Sequence, residues 1–568
     1  MIDFAKLEYS RPDVSALKKE LKSQISKLRT AKSYPEAKIV YFDIQKTLVA
    51  FETAYSLAYI RNTLNTADPF YESEIAFFNK AVPQLSGVQK KFSQTMLETV
   101  YRPDFELEYG GQMFELLEAD ERFQSLLVVP EQIMEANLET RYSKLVATRV
   151  CDFRGERCNL YGLQRHMQSP DREVRRAAFK EWSRLYSECS AELDKIYDKL
   201  VSVRSRIAKR LGFENYIESA YIQNHRFDYG PSNVAAFRAQ ILEQVVPLCV
   251  KLRELQAKRI GVDKLRYYDE TLMFKCGNPT PSGSAADLVH SASELYRALG
   301  SDTFEFFSFL KDGGLFDLET KENKHLGGYC TSLPSYKAPF IFSNFNGTSA
   351  DVDVLTHECG HAFQYYRASR IQSLECYVSS TSEINEIHSS AMEFFAFPWL
   401  GSFFGDRASD AAYYHLCDTL FTLPYIACVD EFQHLVYTEP RPNAARRREL
   451  WRELEHKYLP WRDYDGDEFL ESGGFWMQKQ HIFLFPFYYI DYALAQICTF
   501  ELCGRMKKNF KSAWKDYLEL CSAGGSRGYL ELLSLAKLHS PFTEGSVKAA
   551  VSNVIPDLLN YHKKHAGL

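Results

Sequence analysis

No two cysteines stand in C-x-x-C spacing, and the 13 that occur are odd in number and scattered along 568 residues. A disulfide framework is therefore not expected, and the thiols suit a reducing compartment. No apolar run approaches the length of a membrane span, and the opening residues Met1-Ile2-Asp3-Phe4-Ala5-Lys6-Leu7-Glu8 hold no apolar signal core. The expected location is the cytoplasm, with no membrane partner. Positive charge is not in excess: 68 Lys and Arg against 74 Asp and Glu leave a net charge of −6, which argues against nucleic acid as a partner. Low-complexity tracts, internal repeats and long linkers are missing too, so freely swinging modules are not expected.

What is present is an ordinary globular composition, 45% hydrophobic and 25% charged, in a chain long enough to bury a large core. Helical periodicity dominates. It predicts helices over 13–30, 72–100, 130–148, 170–211, 233–260, 349–368, 382–397, 408–437, 487–506 and 545–564, with strand signals confined to 326–343. The fold class expected is mainly α, with a small β-sheet.

The chemistry is concentrated at His357-Glu358-Cys359-Gly360-His361. Residues four apart lie on one helical face, so two imidazoles can converge on a single cation. A catalytic zinc site takes three protein ligands and leaves one position to water, whose proton Glu358 is placed to accept. Asn346-Gly347-Thr348-Ser349 reads as a turn, with Ser349 as N-cap and Asp351 and Asp353 in the first turn, where the helix dipole favours carboxylates. Val352, Leu355, Cys359 and Ala362 form the core stripe of this helix, and the histidines lie on a neighbouring face. Asp353 is a candidate acceptor for the His357 ring, although a first-turn Asp is more often a dipole partner.

The third ligand needs separate argument. The places used by thermolysin-like zinc enzymes hold Ser380 and Thr381, which are not zinc ligands in that role. The metzincin pattern requires glycine and histidine where Gln364 and Arg367 stand. Farther on, Ile384, Ile387, Ala391 and Phe394 make an apolar stripe, with Glu383, Glu386, Ser390 and Glu393 beside it. Carboxylates drawn toward burial need a cation or donors. Glu386 is the expected ligand, and Glu383 and Glu393 also admit the plainer reading of a solvated acidic face. His388 lies off the face of Glu386 and is expected to be a substrate-cleft residue rather than a fourth ligand, which would close the metal to water.

With these residues on the page, the sequence resembles the thimet oligopeptidase and oligoendopeptidase F family of zinc metallopeptidases. The resemblance rests on the metal-binding helix, the glutamate helix and a tyrosine-rich C-terminal segment. It extends to Ser169-Pro170-Asp171-Arg172 with the long charged helix that follows, to Gly327-Gly328-Tyr329 and to Pro339-Phe340-Ile341-Phe342. It implies a helical zincin-type fold with a deep substrate channel, one Zn²⁺ per chain, and short peptides as substrates. Residues 1–160 would be a helical region walling the channel, and 161–568 the catalytic region. Gly327, Gly328 and Tyr329 would bind substrate by strand addition.

The same resemblance points to a transition-state tyrosine, best matched by Tyr492. Tyr488, four residues earlier, and His481 are further candidate donors to the oxyanion that forms when water attacks an amide. Pro486 should kink or restart the helix there, and the family's additional upstream tyrosine falls on Phe485. The function expected is a zinc oligoendopeptidase. A related carboxypeptidase would need a cationic group to capture a free C-terminus, and a non-catalytic peptide binder would have no use for Glu358.

Overall fold

The computed structural model describes residues 2–325, 327–439 and 442–564. Three helices open the chain: α1 (Val14–Arg29), α2 (Tyr34–Leu64) and α3 (Pro69–Leu97). A hairpin of β1 (Val150–Phe153) and β2 (Glu156–Asn159) leads into α4 (Leu160–His166) and the 39-residue α5 (Arg172–Arg210). The second sheet comprises β3 (Phe316–Glu319), β4 (Tyr329–Leu333) and β5 (Ala338–Phe345). Then come α6 (Ala350–Ile371), α7 (Ser382–Phe395), α8 (Ile490–Lys508) and α9 (Phe510–Ala523).

The expected helices are found with small shifts of their ends, except that 545–564 divides into Ser546–Ser552 and Ile555–Lys564 and that 233–260 runs through a π-helical segment at Ile241–Val245. Several helices lie outside that expectation, among them 285–299, 444–458 and 510–523, and the longest of them is 34–64. Its apolar residues are spread round the helix and leave no stripe, but its start carries a local signal. Ser33 Oγ accepts from Glu36 N at 3.4 Å, Pro35 occupies the first turn, and the Glu36 carboxylate accepts from Lys32 N at 2.9 Å. Of the expected strand region 326–343, Leu326 lies outside the described residues; β4 and most of β5 fall within it, joined by a 3-10 turn at Pro334–Tyr336, whereas β3 and the 150–159 hairpin were not foreseen. Four-residue strands are too short to show alternation.

Two compact units are each assembled from three segments. One comprises 1–124, 280–408 and 505–538; the other comprises 125–279, 409–504 and 539–568. The expected boundary at 160/161 falls inside the second unit. In the first unit, a buried cluster joins Leu21, Ile25 and Leu28 of α1 to Ala37, Val40, Tyr41 and Ile44 of α2 and to Leu374 and Tyr377, which follow α6. Its sheet has the order β3-β5-β4, with β5 parallel to β3 and antiparallel to β4, so β4 is an edge strand.

The second unit holds several arginines out of water. Arg175 donates to Asp269 Oδ1 at 2.7 Å, and Arg204 to Glu139 Oε1 at 3.0 Å and Phe483 O at 2.6 Å. Buried guanidinium groups are tolerable only when their N–H groups are met in this way, and deleting one partner typically costs about 3–5 kcal/mol.

Candidate metal centre

α6 starts where the chain turns out of β5. Ser349 is the residue before the helix, but its side chain makes no capping bond. The Asp351 carboxylate reaches back to hold the preceding turn, accepting from Asn346 N at 3.0 Å and Gly347 N at 2.7 Å. Val352, Leu355, Cys359 and Ala362 are all buried, as their spacing predicts. α7 lies against this helix, and the fit depends on one glycine. A Cβ on Gly360 would come within 2.5 Å of His388 O and 2.6 Å of Ser389 Cα, both backbone atoms of α7.

That close approach brings the ligand candidates together. One nitrogen each from His357 and His361 and one oxygen of Glu386 lie within 4.8 Å of one another. His357 Nε2 is 3.4 Å, and His361 Nε2 3.6 Å, from Glu386 Oε2. Two nitrogen or oxygen ligands about 2.0–2.1 Å from a tetrahedral zinc stand roughly 3.3 Å apart, so Glu386 already stands at about ligand spacing from each imidazole. The imidazole planes meet at 84°, with centroids 5.0 Å apart, as two side chains aimed at one point from successive turns should.

Outer contacts fix these groups. His357 Nδ1 is 2.6 Å from Glu393 Oε1, about two turns beyond Glu386 on α7. Glu393, and not Asp353, is thus the carboxylate that orients His357, and its place on the acidic stripe of α7 is the sequence signal for that role. Glu386 Oε2 accepts from Ser389 Oγ at 2.9 Å. Burial works against charge on His357, but Glu386 and Glu393 together raise its pKa well above the ordinary value. Burial lowers His361 to about 4, which leaves a neutral imidazole suited to coordination. Glu386 stays ionised: burial opposes this, yet His361, His357 and the Ser389 hydroxyl hold it down to about 2.

Glu358 is 9% exposed, and burial pushes its pKa up to about 7 against the pull of His357. The edge strand β4 packs against α6, and burial, with the Glu358 charge adding to it, raises the Cys330 thiol of that strand. Gly328, just before β4, would bring a Cβ to 3.4 Å from Phe342 O and 3.5 Å from Val354 Cγ1 of α6. Gly327 has φ +95°, open only to glycine at low cost. Tyr329 stacks on Phe342 at 4.8 Å and shares a 2.6 Å hydrogen bond with the Thr63 hydroxyl.

His388 is not a cleft residue. Its side chain is fully buried, with Nδ1 3.4 Å from Cys521 Sγ and the ring edge-on to Tyr517. One residue past Ile387 and two past Glu386, it points to the far side of α7 from the carboxylates.

In the second unit, His481, Tyr488 and Tyr492 form one aromatic cluster. The His481 centroid is 6.1 Å from both tyrosine rings, and Tyr488 and Tyr492 are 5.4 Å apart at 88°. Tyr488 does not share a helix with Tyr492, because α8 begins at Ile490. The chain breaks at Phe485-Pro486 as proline predicts, and Phe487 takes a left-handed φ of +64°. Buried polar groups hold this turn: Arg226 Nη2 donates to Phe487 O and to Asp491 Oδ1, each at 2.6 Å, and Phe487 N donates to Gln433 Oε1 at 3.0 Å. Tyr489 is buried and packs beneath the cluster.

Residues 4–123 match the peptidase M3 N-terminal domain, and residues 165–273 and 308–551 match peptidase family M3. Oligoendopeptidase F, chromosomal, of Lactococcus lactis subsp. cremoris is 23% identical over 396 residues, covering 66% of this chain and 62% of that protein. Oligopeptidase PepF of Bacillus subtilis (strain 168) is 22% identical over 390 residues, 65% of this chain and 54% of that protein. The chain thus spans less than two thirds of the length of these relatives. A solved structure of PZ peptidase A with an inhibitor superposes with a TM-score of 0.93 at 42% identity, covering 98% of this chain and 99% of that one. The family matches take in both the paired-histidine helix and the acidic helix packed on it, and the chain belongs to peptidase family M3.

Proposed function

We propose that the protein is a zinc-dependent oligoendopeptidase of the cytoplasm that hydrolyses internal bonds of short, unstructured peptides. The observation that carries this reading is the convergence of His357, His361 and Glu386 on one point, with a proton acceptor, Glu358, on the same helix. His357, His361 and Glu386 would hold the metal. Zinc bound there would polarise the substrate carbonyl and make a water proton easier to remove.

The remaining work falls to the chain itself. Glu358 takes the water proton and later returns it to the leaving amine; a pKa of about 7 suits both directions near neutral pH. Glu393 keeps His357 in the tautomer that leaves Nε2 free to coordinate. β4 is the sheet's edge, so Gly327, Gly328 and Tyr329 lead an extended peptide into main-chain pairing beside Glu358. Tyr492, assisted by Tyr488 or His481, donates to the developing oxyanion. Residues 1–160 restrict access, and residues 161–568 carry the chemistry, so folded proteins are spared.

Glu358→Gln tests the reading. The variant should retain the zinc content of the wild type and lose most of its turnover on peptides blocked at both ends. Substantial remaining hydrolysis would remove Glu358 from its role, and a strict need for a free C-terminus would replace the endopeptidase with a carboxypeptidase.

A further inference from the structure

A second group of metal-binding side chains lies far along the chain from His357, in the second unit, on the hairpin and the short helix that follows it. The Arg154-Gly155 turn has φ values of +53° and +85°, the left-handed pair that closes a two-residue hairpin. Its register pairs Cys151 with Cys158 and Phe153 with Glu156. Cross-strand partners and residues two apart share a face, so Cys151, Phe153, Glu156 and Cys158 all project to one side. α4 folds over that side and sets the His166 ring 5.0 Å from the Phe153 ring.

Ligand atoms of Glu156, Cys158 and His166 come within 4.8 Å of one another, with His166 Nε2 3.8 Å from Glu156 Oε2. Cys158 is buried, and His166 Nε2 is out of solvent with no hydrogen-bond partner. A buried imidazole nitrogen normally has one, because leaving it unmet costs on the order of 1–3 kcal/mol. Burial also lowers the pKa of His166, which favours the neutral form.

We propose that Cys158, His166 and Glu156 form a second divalent-metal site, selective for zinc-like borderline cations. Sulfur, nitrogen and carboxylate oxygen together suit Zn²⁺ better than Mg²⁺ or Ca²⁺, which take oxygen alone. Sulfur and nitrogen ligands on a tetrahedral zinc stand roughly 3.5 Å apart, so the present spacing must close by about 1 Å. The exposed Glu156 carboxylate can make that move by rotation. It is bonded to Arg165 at 2.9 Å, but both side chains are about 60% exposed (62% and 61%), and an ion pair of that kind contributes too little to hold Glu156 back. The thiol proton of Cys158 is released to solvent on binding. Bound metal would tie the hairpin to α4, and so to the start of α5.

Cobalt substitution distinguishes the two sites. The His357, His361 and Glu386 set contains no sulfur, whereas Cys158 gives a thiolate-to-cobalt charge-transfer band. Full-length protein, kept reduced and loaded with Co²⁺, should bind two ions per chain and show this band. Cys158→Ser should drop to one ion and lose the band with unchanged circular dichroism, and His166→Ala should weaken the band-forming site more than about tenfold. His361→Ala, which disables the other site, should keep the band. The proposal is overturned if wild type shows no charge-transfer band, if the band survives in Cys158→Ser, or if reduced protein binds a single ion.

Discussion

Replacing Gly360 by alanine tests whether the contact between α6 and α7 sets the metal geometry. The new Cβ would sit 2.5 Å from His388 O and 2.6 Å from Ser389 Cα, and neither backbone atom has a flexible end that can yield. To reach ordinary contact at 3.4 Å, α7 must retreat by about 0.9 Å. Overpacking of this kind typically costs about 1–3 kcal/mol. Alanine returns about 0.8–1.0 kcal/mol in helix propensity, so the net loss of stability should lie between about 0 and 2 kcal/mol.

The loss of metal should be more severe. Coordination tolerates ligand displacements of only about 0.2 Å, and α7 carries Glu386. Zinc affinity should therefore fall at least as far as it does when an outer-shell partner is removed, roughly 10- to 100-fold. Urea unfolding of the metal-free protein measures the first quantity, and chelator competition the second. A Gly360→Ala protein with wild-type zinc affinity and an unchanged unfolding midpoint would refute the reasoning, because it would mean that the two helices can part without disturbing the ligands.

Three further outcomes follow from the same structure. Glu393→Gln should weaken zinc binding by about 10- to 100-fold while Asp353→Asn leaves it near wild type; equal losses would return the orienting role to Asp353. Tyr492→Phe should lower kcat about a hundredfold with a smaller change in KM, because an oxyanion donor acts mainly in the transition state, and an unchanged kcat would make Tyr492 a packing residue. Asp463, which burial would raise but Lys264 and Arg266 hold down to about 2, contributes stability that is present above its ordinary pKa of 3.8 and is lost as pH falls toward 2. Between those limits the urea midpoint of Asp463→Asn should fall less steeply than that of wild type, and parallel curves would count against the pair.

Much of the centre was legible because it is local. The four-residue step from His357 to His361, the position of Glu358 and the buried stripe of Val352, Leu355, Cys359 and Ala362 all follow from the geometry of one helix, which the order of residues dictates directly. Glu386 was within reach by the same means, since a helix with an acidic stripe beside an apolar one must meet a partner. The break at Phe485-Pro486 is equally local, a consequence of the missing N–H and fixed φ of proline.

The rest depends on which surfaces meet. Periodicity places Glu383, Glu386 and Glu393 on one stripe but does not say which of them faces the histidines; the approach of α7 at Gly360 decides that Glu386 meets both rings and Glu393 takes Nδ1 of His357. The same packing turns His388 into the interior against Tyr517 of α9, more than a hundred residues away. Parallel pairing of β3 with β5, and the assembly of each compact unit from three separated segments, likewise join residues with no sequence relation. Helix periodicity is written in neighbours three and four apart, and so the sequence by itself determined the helices and the ligand pair; contacts between helices are set by shape and burial across the fold, and so only the tertiary structure decided which carboxylate does what.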